Sequence, residues 1–358
     1  MRDPKNTIGD GDYLPFESKV AEMDRQASEL QRLSSIKGID YSSEIRRIQR
    51  EQVNELTSIY SNLTAWQTVQ VARHPKRLLF ADYLDLMVKD FRELHGDKCF
   101  GDDSAITTGF GQIGSEKVML VGQNKGKNLK EKVACNFGCP NPEGYRKAMA
   151  KMRLAQKYNV PIVTFIDTPG AYPGIGAEER GQALAIAVNL QEMSILRVPI
   201  ICIVIGEGGS GGALGIGVGD QLAMLEFAYY SVISPEGCAA ILWRDGSRAS
   251  EAAEALKLTS RDLYKLRLVD TVIPEPLGGA HRNTRDTVYN VEKYILKTLQ
   301  DLKRTGINDL LENRYRKLRA LGNYSETIAA EKARSLVVPV QAAIKTLPSK
   351  PKSVHAKV

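Results

Sequence analysis

Residues 206–217 read Gly-Glu-Gly-Gly-Ser-Gly-Gly-Ala-Leu-Gly-Ile-Gly, seven glycines in twelve positions. They follow directly on an apolar run, Val198-Pro-Ile-Ile-Cys-Ile-Val-Ile205. Glycine loses more conformational entropy on ordering than any other residue, so this density is kept where side chains must be absent. A buried strand that runs into a glycine turn and a helix start leaves backbone N–H groups without partners. Such groups sit at the positive end of the helix dipole and hold anions or developing oxyanions.

Three chemistries fit the segment. The spacing Gly206-x-Gly208-x-x-Gly211 matches a dinucleotide fingerprint, with Glu226 at the distance of a ribose-binding acid. Gly208-Gly-Ser210-Gly-Gly212 matches G-x-S-x-G, the nucleophile elbow of serine hydrolases. The third is an oxyanion hole made of the amides around Gly211 and Gly212, with no reactive side chain. Close packing of helix on sheet is a structural alternative for the same glycines. The dinucleotide reading calls for a long helix after the glycines, which Gly215, Gly217 and Gly219 interrupt. The hydrolase reading needs a base for Ser210, and the chain has four histidines. Of these, His74 lies in Arg-His-Pro, His95 precedes Gly96 and His355 lies near the C-terminus. His281, in Gly-Gly-Ala-His-Arg, is expected to cap the helix that follows.

A second glycine loop favours the oxyanion reading. The strand-like run Pro161-Ile-Val-Thr-Phe-Ile-Asp167 enters Thr168-Pro-Gly-Ala-Tyr-Pro-Gly174, and a helix start is predicted near Gly176 with Glu178 and Glu179 in its first turn. The same device thus occurs twice, and two such units side by side make a cradle of backbone amides. Stabilisation of an enolate requires donors aimed at an oxygen rather than a nucleophile.

The longer stretches around both loops, Asp167-Thr-Pro-Gly-Ala-Tyr-Pro-Gly-Ile-Gly-Ala-Glu-Glu-Arg-Gly-Gln182 and Ile205-Gly-Glu-Gly-Gly-Ser-Gly-Gly-Ala-Leu-Gly-Ile-Gly-Val-Gly-Asp220, resemble the carboxyltransferase α subunit of multi-subunit acetyl-CoA carboxylase. So do Ser231-Val-Ile-Ser-Pro-Glu-Gly-Cys-Ala-Ala-Ile-Leu-Trp243, Ile273-Pro-Glu-Pro-Leu-Gly-Gly-Ala-His-Arg282, Ala72-Arg-His-Pro75, Asn136-Phe-Gly138 and Pro142-Glu-Gly-Tyr-Arg-Lys147. The resemblance covers residues 16 to 322. It breaks at Gln123-Asn-Lys-Gly-Lys127, where the family usually has His-Gln-Lys-Gly-Arg, and again in the last thirty or so residues.

The resemblance implies an α/β crotonase-type fold, a superhelix of β-β-α units, with an N-terminal helical hairpin and C-terminal helices. It implies an enzyme active only with a β subunit, the zinc-ribbon chain, in an α2β2 heterotetramer. Carboxybiotin, carried on a separate biotin carboxyl carrier protein, would give its carboxyl group to acetyl-CoA, forming malonyl-CoA for fatty acid synthesis. ATP would be used by a separate biotin carboxylase. Carried over by residue, the catalytic pair is the amides of Gly211 and Gly212, which would bind the ureido oxygen of biotin. Gly208, Gly209, Gly170 and Ala171 would line the substrate. The biotin nitrogen would supply the base, so the protein supplies position and donors. Ser210 is expected to be structural, its hydroxyl bonded to backbone in the turn. A self-sufficient crotonase-fold decarboxylase, a serine hydrolase using Ser210 and His281, and a non-catalytic scaffold are the alternatives.

Composition sets the frame. The chain has 358 residues, 43% of them hydrophobic, enough for one large α/β core with helical additions. The opening Met1-Arg-Asp-Pro-Lys-Asn-Thr carries no apolar stretch of a signal, and the eight-residue run Val198–Ile205 is too short to span a bilayer. No membrane partner is expected, and the resemblance implies the bacterial cytoplasm or the plastid stroma. The five cysteines are scattered, Cys135 and Cys139 being the closest pair, and no metal is expected in this chain. Of the net charge of +7, four charges come from Lys345, Lys350, Lys352 and Lys357 in a stretch without acids. The balanced remainder argues against a nucleic-acid surface. A basic cluster, Lys125, Lys127, Lys130, Lys132, Arg146, Lys147, Lys151 and Arg153, is suited either to CoA phosphates or an acidic carrier, or to a solvated face of helix pairs.

These parts imply an order along the chain. Residues 1–15 read as a flexible N-terminus. Val20, Met23, Ala27 and Leu30, then Val53, Leu56, Tyr60 and Leu63, predict a helical hairpin over 16–64, with its turn at Lys37-Gly38. Residues 65–324 read as the CoA carboxyltransferase domain, ending in helices around 282–304 and 307–321, and 325–358 as a basic, flexible tail.

Overall fold

The computed structural model describes residues 13–321. The expected N-terminal helices are α1 (Ser18–Lys37) and α2 (Ser42–Ser61), and Gly38 ends α1 in the left-handed conformation at φ 67°, as a glycine C-cap does. Short helices α3 (Ala65–Ala72) and α4 (Phe80–Met87) lead to the antiparallel strands β1 (Val88–Glu93), β2 (Ile106–Ile113) and β3 (Glu116–Gln123). The chain then alternates through α5 (Leu129–Ala134), α6 (Pro142–Lys157), β4 (Ile162–Thr168), α7 (Ile175–Glu179), α8 (Gln182–Ile195), β5 (Ile200–Gly209) and α9 (Ser210–Leu214). Strands β6 (Gln221–Leu225) and β7 (Tyr229–Ser231) follow, then α10 (Pro235–Trp243), α11 (Ala249–Leu256), α12 (Ser260–Lys265) and β8 (Thr271–Ile273). Helices α13 (Thr284–Lys303) and α14 (Ile307–Arg319) complete it, close to the predicted bounds.

All eight strands lie in one sheet, in the order β1-β2-β3-β4-β5-β6-β8, with β7 pairing β5 off that path. The first three strands are antiparallel and the rest parallel. Strand β5 serves two ladders: Ile201–Val204 pair with β6, and Glu207–Gly209 pair with β7. The chain is thus α/β, with one mixed sheet and helices at both ends, as the resemblance implies. The β-β-α units β2-β3-α6 and β6-β7-α10 flank β4-α8 and β5-α9, and both glycine loops fall at these two inner strand-to-helix joins.

Every residue of β4 and β5 is buried. A parallel strand covered on both faces has no wet side, so its sequence reads as a continuous apolar run rather than an alternation. The C-terminal helices are tied to this layer by a buried ion pair. Arg314 of α14 donates to Asp220 through Nε at 2.8 Å and Nη2 at 2.7 Å, and also to the carbonyls of Met193, Leu196 and Val198.

Two local expectations are corrected. Val53 is exposed, and its neighbour Gln52 turns inward instead, because its amide donates to the Asp24 carboxylate at 2.9 Å. A paired polar side chain holds that position of the stripe. Helix α13 is capped by Asn283, whose side chain accepts from Asp286 N, and not by His281. The predicted tail, 325–358, and most of the predicted N-terminal segment lie outside the described residues. No helix among the described residues is long and apolar enough to cross a membrane.

Candidate functional site

Parallel pairing of β4 with β5 brings the two glycine loops together, with Thr168 opposite Gly208. The contact leaves no room for side chains. A Cβ at Gly209 would overlap the backbone of Thr168 and Pro169, and one at Gly212 would overlap the backbone of Gly170 and Ala171. Within the β4 loop, Thr168 Oγ1 donates to the carbonyl of Gly138 at 2.6 Å and accepts from Gly170 N at 3.0 Å. That clasps a third backbone segment, Asn136–Gly138, whose residues all have positive φ (49°, 55° and 86°).

The chain enters α9 through Ser210 at φ 51°, a conformation uncommon outside glycine. Helix α9 is a single turn. Its leading amides, including those of Gly211 and Gly212, have no carbonyl four residues back within the helix. At Gly211 an added Cβ would meet only Ile186 Cδ1, at 3.8 Å. The six residues singled out therefore divide by environment. Gly208 and Gly209 belong to β5 and pair with Tyr230 and Ser231 of β7, and a Cβ at Gly208 would strike the Tyr230 ring. Gly212 is buried against Gly170 and Ala171, while Gly170, Ala171 and Gly211 are partly exposed. Gly170, Ala171 and Gly211 are thus the partly exposed positions where the two loops meet.

One expectation about a side chain is corrected here, and the serine-hydrolase alternative loses its base. The Ser210 hydroxyl makes no hydrogen bond to the turn backbone among the described residues. The turn is held instead by carbonyl acceptors within α9, Gly215 N donating to Gly211 O at 2.9 Å. His281 does not approach Ser210 as a base: its ring stacks on His74, centroids 3.7 Å apart, with neither of its nitrogens hydrogen-bonded. Burial first, and the neighbouring cations with it, push the His281 imidazole down to about 2.

Behind the loops lies a charged network whose partners are far apart in sequence. Lys125, just past β3, reaches Asp167 of β4 at 2.6 Å and Glu207 of β5 at 2.5 Å. Arg73, in the Arg-His-Pro motif, reaches Glu207 at 2.6 Å, Glu236 and the Tyr229 hydroxyl. Tyr229 in turn donates to Glu207 at 2.6 Å. Burial alone would raise the Glu207 carboxyl, but the charges of Lys125 and Arg73 overcome it and hold it near 2. Burial would lower Lys125, and the two carboxylates reverse that and raise it. A fixed cation thus ties the two strands that deliver the loops.

Most of the predicted basic cluster is spent in similar pairs. Lys127 meets Asp82, Arg146 meets Asp97, Lys147 meets Asp102, and Arg153 meets Glu192. Lys151 donates to the carbonyls of His95 and Gly96. Among the described residues, no group of three or more His, Cys, Asp or Glu side chains is placed to hold a metal ion.

Residues 13–322 match the family described as acetyl co-enzyme A carboxylase carboxyltransferase-like. The chain is similar to the acetyl-coenzyme A carboxylase carboxyl transferase subunit alpha of Thioalkalivibrio sulfidiphilus, 51% identical over 88% of this chain and 99% of that one. It is 52% identical to the protein of the same name from Rhodopirellula baltica, again over 88% and 99%. Among solved structures it is similar to the transcarboxylase 12S hexamer core with methylmalonyl-coenzyme A and methylmalonic acid bound. That match has 22% identity and a TM-score of 0.49, over 62% of this chain and 42% of that one.

Proposed function

Since the chain belongs to the acetyl-CoA carboxylase carboxyltransferase α-subunit family, we propose that its two glycine loops form the oxyanion cradle that receives the biotin ureido oxygen during carboxyl transfer to acetyl-CoA. Carboxybiotin, arriving on a separate carrier protein, is a substrate for this chain; it brings the carboxyl group and, once that is given up, the base for the acetyl α proton. The chain's own part is to hold and to polarise. The amides of Gly211 and Gly212 donate to the oxygen on which negative charge grows, and a well-placed donor of this kind is worth about 3–4 kcal/mol of barrier. Gly170 and Ala171 form the facing wall, with Gly208 and Gly209 setting the strand that carries it. Product is malonyl-CoA for fatty acid synthesis, and ATP is spent elsewhere, by a biotin carboxylase.

The observation that carries this reading is the packing of Gly212 on the backbone of Gly170 and Ala171 beside a partly exposed Gly211, where an added Cβ would meet only Ile186. The thioester half of the site is assigned to a zinc-ribbon β subunit, in an α2β2 assembly. Ile175 of α7, Leu184 of α8 and Leu214 of α9, all exposed on the helices that follow the two loops, support a face that meets another chain. Residues 65–324 are assigned as the carboxyltransferase domain and 16–64 as the hairpin preceding it, in a protein of the bacterial cytoplasm or plastid stroma.

A serine hydrolase has one observation in its favour, the positive φ of Ser210 at a strand-to-helix turn. None of the described histidines hydrogen-bonds that hydroxyl, so it lacks the base such chemistry requires. The test is malonyl-CoA formation from carboxybiotin and acetyl-CoA with each chain omitted in turn. Turnover that needs both chains and stays within twofold in Ser210→Ala is the expected result. Turnover by this chain alone, lost in Ser210→Ala, overturns it.

A further inference from the structure

Helix α9 poses a physical problem that its own sequence does not solve. One helical turn does not sustain itself, and a Gly-Gly peptide is the backbone unit freest to rotate. Donors that stabilise an oxyanion must nevertheless be fixed before the charge appears. Something outside α9 has to aim it.

The carbonyl ends of the turn are where it is gripped. Gly212 O would be left without a partner because the helix stops at Leu214, and it accepts instead from Gln123 Nε2 at 2.8 Å and from the Tyr145 hydroxyl at 3.1 Å. Gln123 and Tyr145 are both fully buried. The other end of the Gln123 amide accepts from Asp167 N at 3.1 Å, so one side chain ties α9 to the strand that enters the second glycine loop. Asn189 Nδ2 donates both to the carbonyl of Tyr145, at 3.0 Å, and to Gly215 O, at 2.9 Å. The peptide that carries the Gly212 N–H is oriented in turn by the bond from Gly215 N to Gly211 O.

We propose that Gln123 and Tyr145 are positioning residues for the transfer reaction: by clamping the Gly212 carbonyl they hold the Gly211 and Gly212 amides at the angle the oxyanion requires. The proposal rests on the cradle reading above. Both side chains are fully buried, so their loss is expected to act on the rate of the chemical step and not on substrate affinity. Gln123 lies in the one motif where this chain departs from the pattern it resembles. Its amide suits the task because it donates at one end and accepts at the other without carrying charge beside Asp167, Lys125 and Glu207.

The experiment uses the assembled α–β enzyme, with kcat and KM measured for acetyl-CoA and carboxybiotin in Gln123→Met, Tyr145→Phe and Gly211→Val. The expected result is a fall in kcat of about tenfold or more in Gln123→Met and a few-fold in Tyr145→Phe, with each KM within twofold. Tyr145→Phe removes a single hydroxyl and carries the test where Gln123→Met does not assemble. Wild-type kcat in the assembled variant, or a loss confined to KM, overturns the proposal. If Gly211→Val has lost turnover at the same time, the clamp alone fails and the cradle stands. Wild-type turnover in Gly211→Val overturns the cradle and the clamp with it.

Discussion

Gly211 and Gly212 are adjacent in sequence and opposite in packing. A methyl group on Gly212 would overlap the backbone of Gly170 and Ala171, whereas one on Gly211 would meet only Ile186, at ordinary van der Waals distance. The first glycine is partly exposed, and the second closes the contact between the two loops.

Gly211→Ala is therefore expected to separate stability from activity. Alanine replaces glycine in a helical turn without a clash, so stability stays level or rises by up to about 1 kcal/mol. Turnover falls by about tenfold or more, because the methyl group occupies the approach to the amides. Gly212→Ala is expected to lose folded or assembled protein. Thermal melting and steady-state kinetics on the pair check both; a Gly211→Ala enzyme of full activity would contradict the placement.

Arg314 supplies a second test, remote from the loops. Its guanidinium is fully buried, paired with Asp220 and bonded to three carbonyls. Removing one member of a buried pair leaves the other charge uncompensated, at about 3–5 kcal/mol. Arg314→Met should lower stability by this order in urea unfolding, with Asp220→Asn similar and the double variant less than additive.

Acid stability should reflect His281. Its folded form stays neutral down to about 2, while the unfolded side chain takes a proton near its ordinary 6.5. The unfolded state thus binds more protons between those values, so this contribution is complete above 6.5 and declines as pH falls. Melting temperature followed from pH 7.5 to 5 should drop, and should drop less steeply in His281→Asn. Parallel curves for the two proteins would refute the assignment.

Glu207 acts in the next window down. Its carboxyl is lowered from 4.5 to about 2, so its contribution is complete above 4.5 and lost as pH falls toward 2. Lys125→Met removes one of the two cations that hold it down. The acid transition should then begin at higher pH, on top of a loss of stability at neutral pH, because Asp167 and Glu207 would face each other without their shared partner. An unchanged acid midpoint would show that Arg73 alone sets the Glu207 carboxyl.

Much of this site could be read in the sequence because glycine density is a local signal. Strand, glycine turn and helix start lie within about fifteen residues of each other, and the apolar runs before Thr168 and Gly206 have the composition of strands buried on both faces. The partners of those loops were not legible. Gln123 and Gly212 are 89 residues apart, and Arg73 and Glu207 are 134 apart. Nothing in the spacing of either pair says that they meet. The basic residues after Lys125 read as a surface patch for the same reason, since their acids come from other parts of the chain. At Val53 and Gln52 the helical period was right, but the inward position went to a polar residue because Asp24 waited opposite.

The sequence by itself determined the helical ends and where glycine would leave backbone bare, since each follows from composition and period within a short window, and its resemblance to a family implied the fold class. Only the tertiary structure decided which glycines face open space, which close a contact and what holds α9 in its orientation. Those outcomes depend on the parallel register of β4 and β5 and on side chains delivered from β3, α6 and α8, and register across a sheet is a property of the whole fold rather than of any one segment.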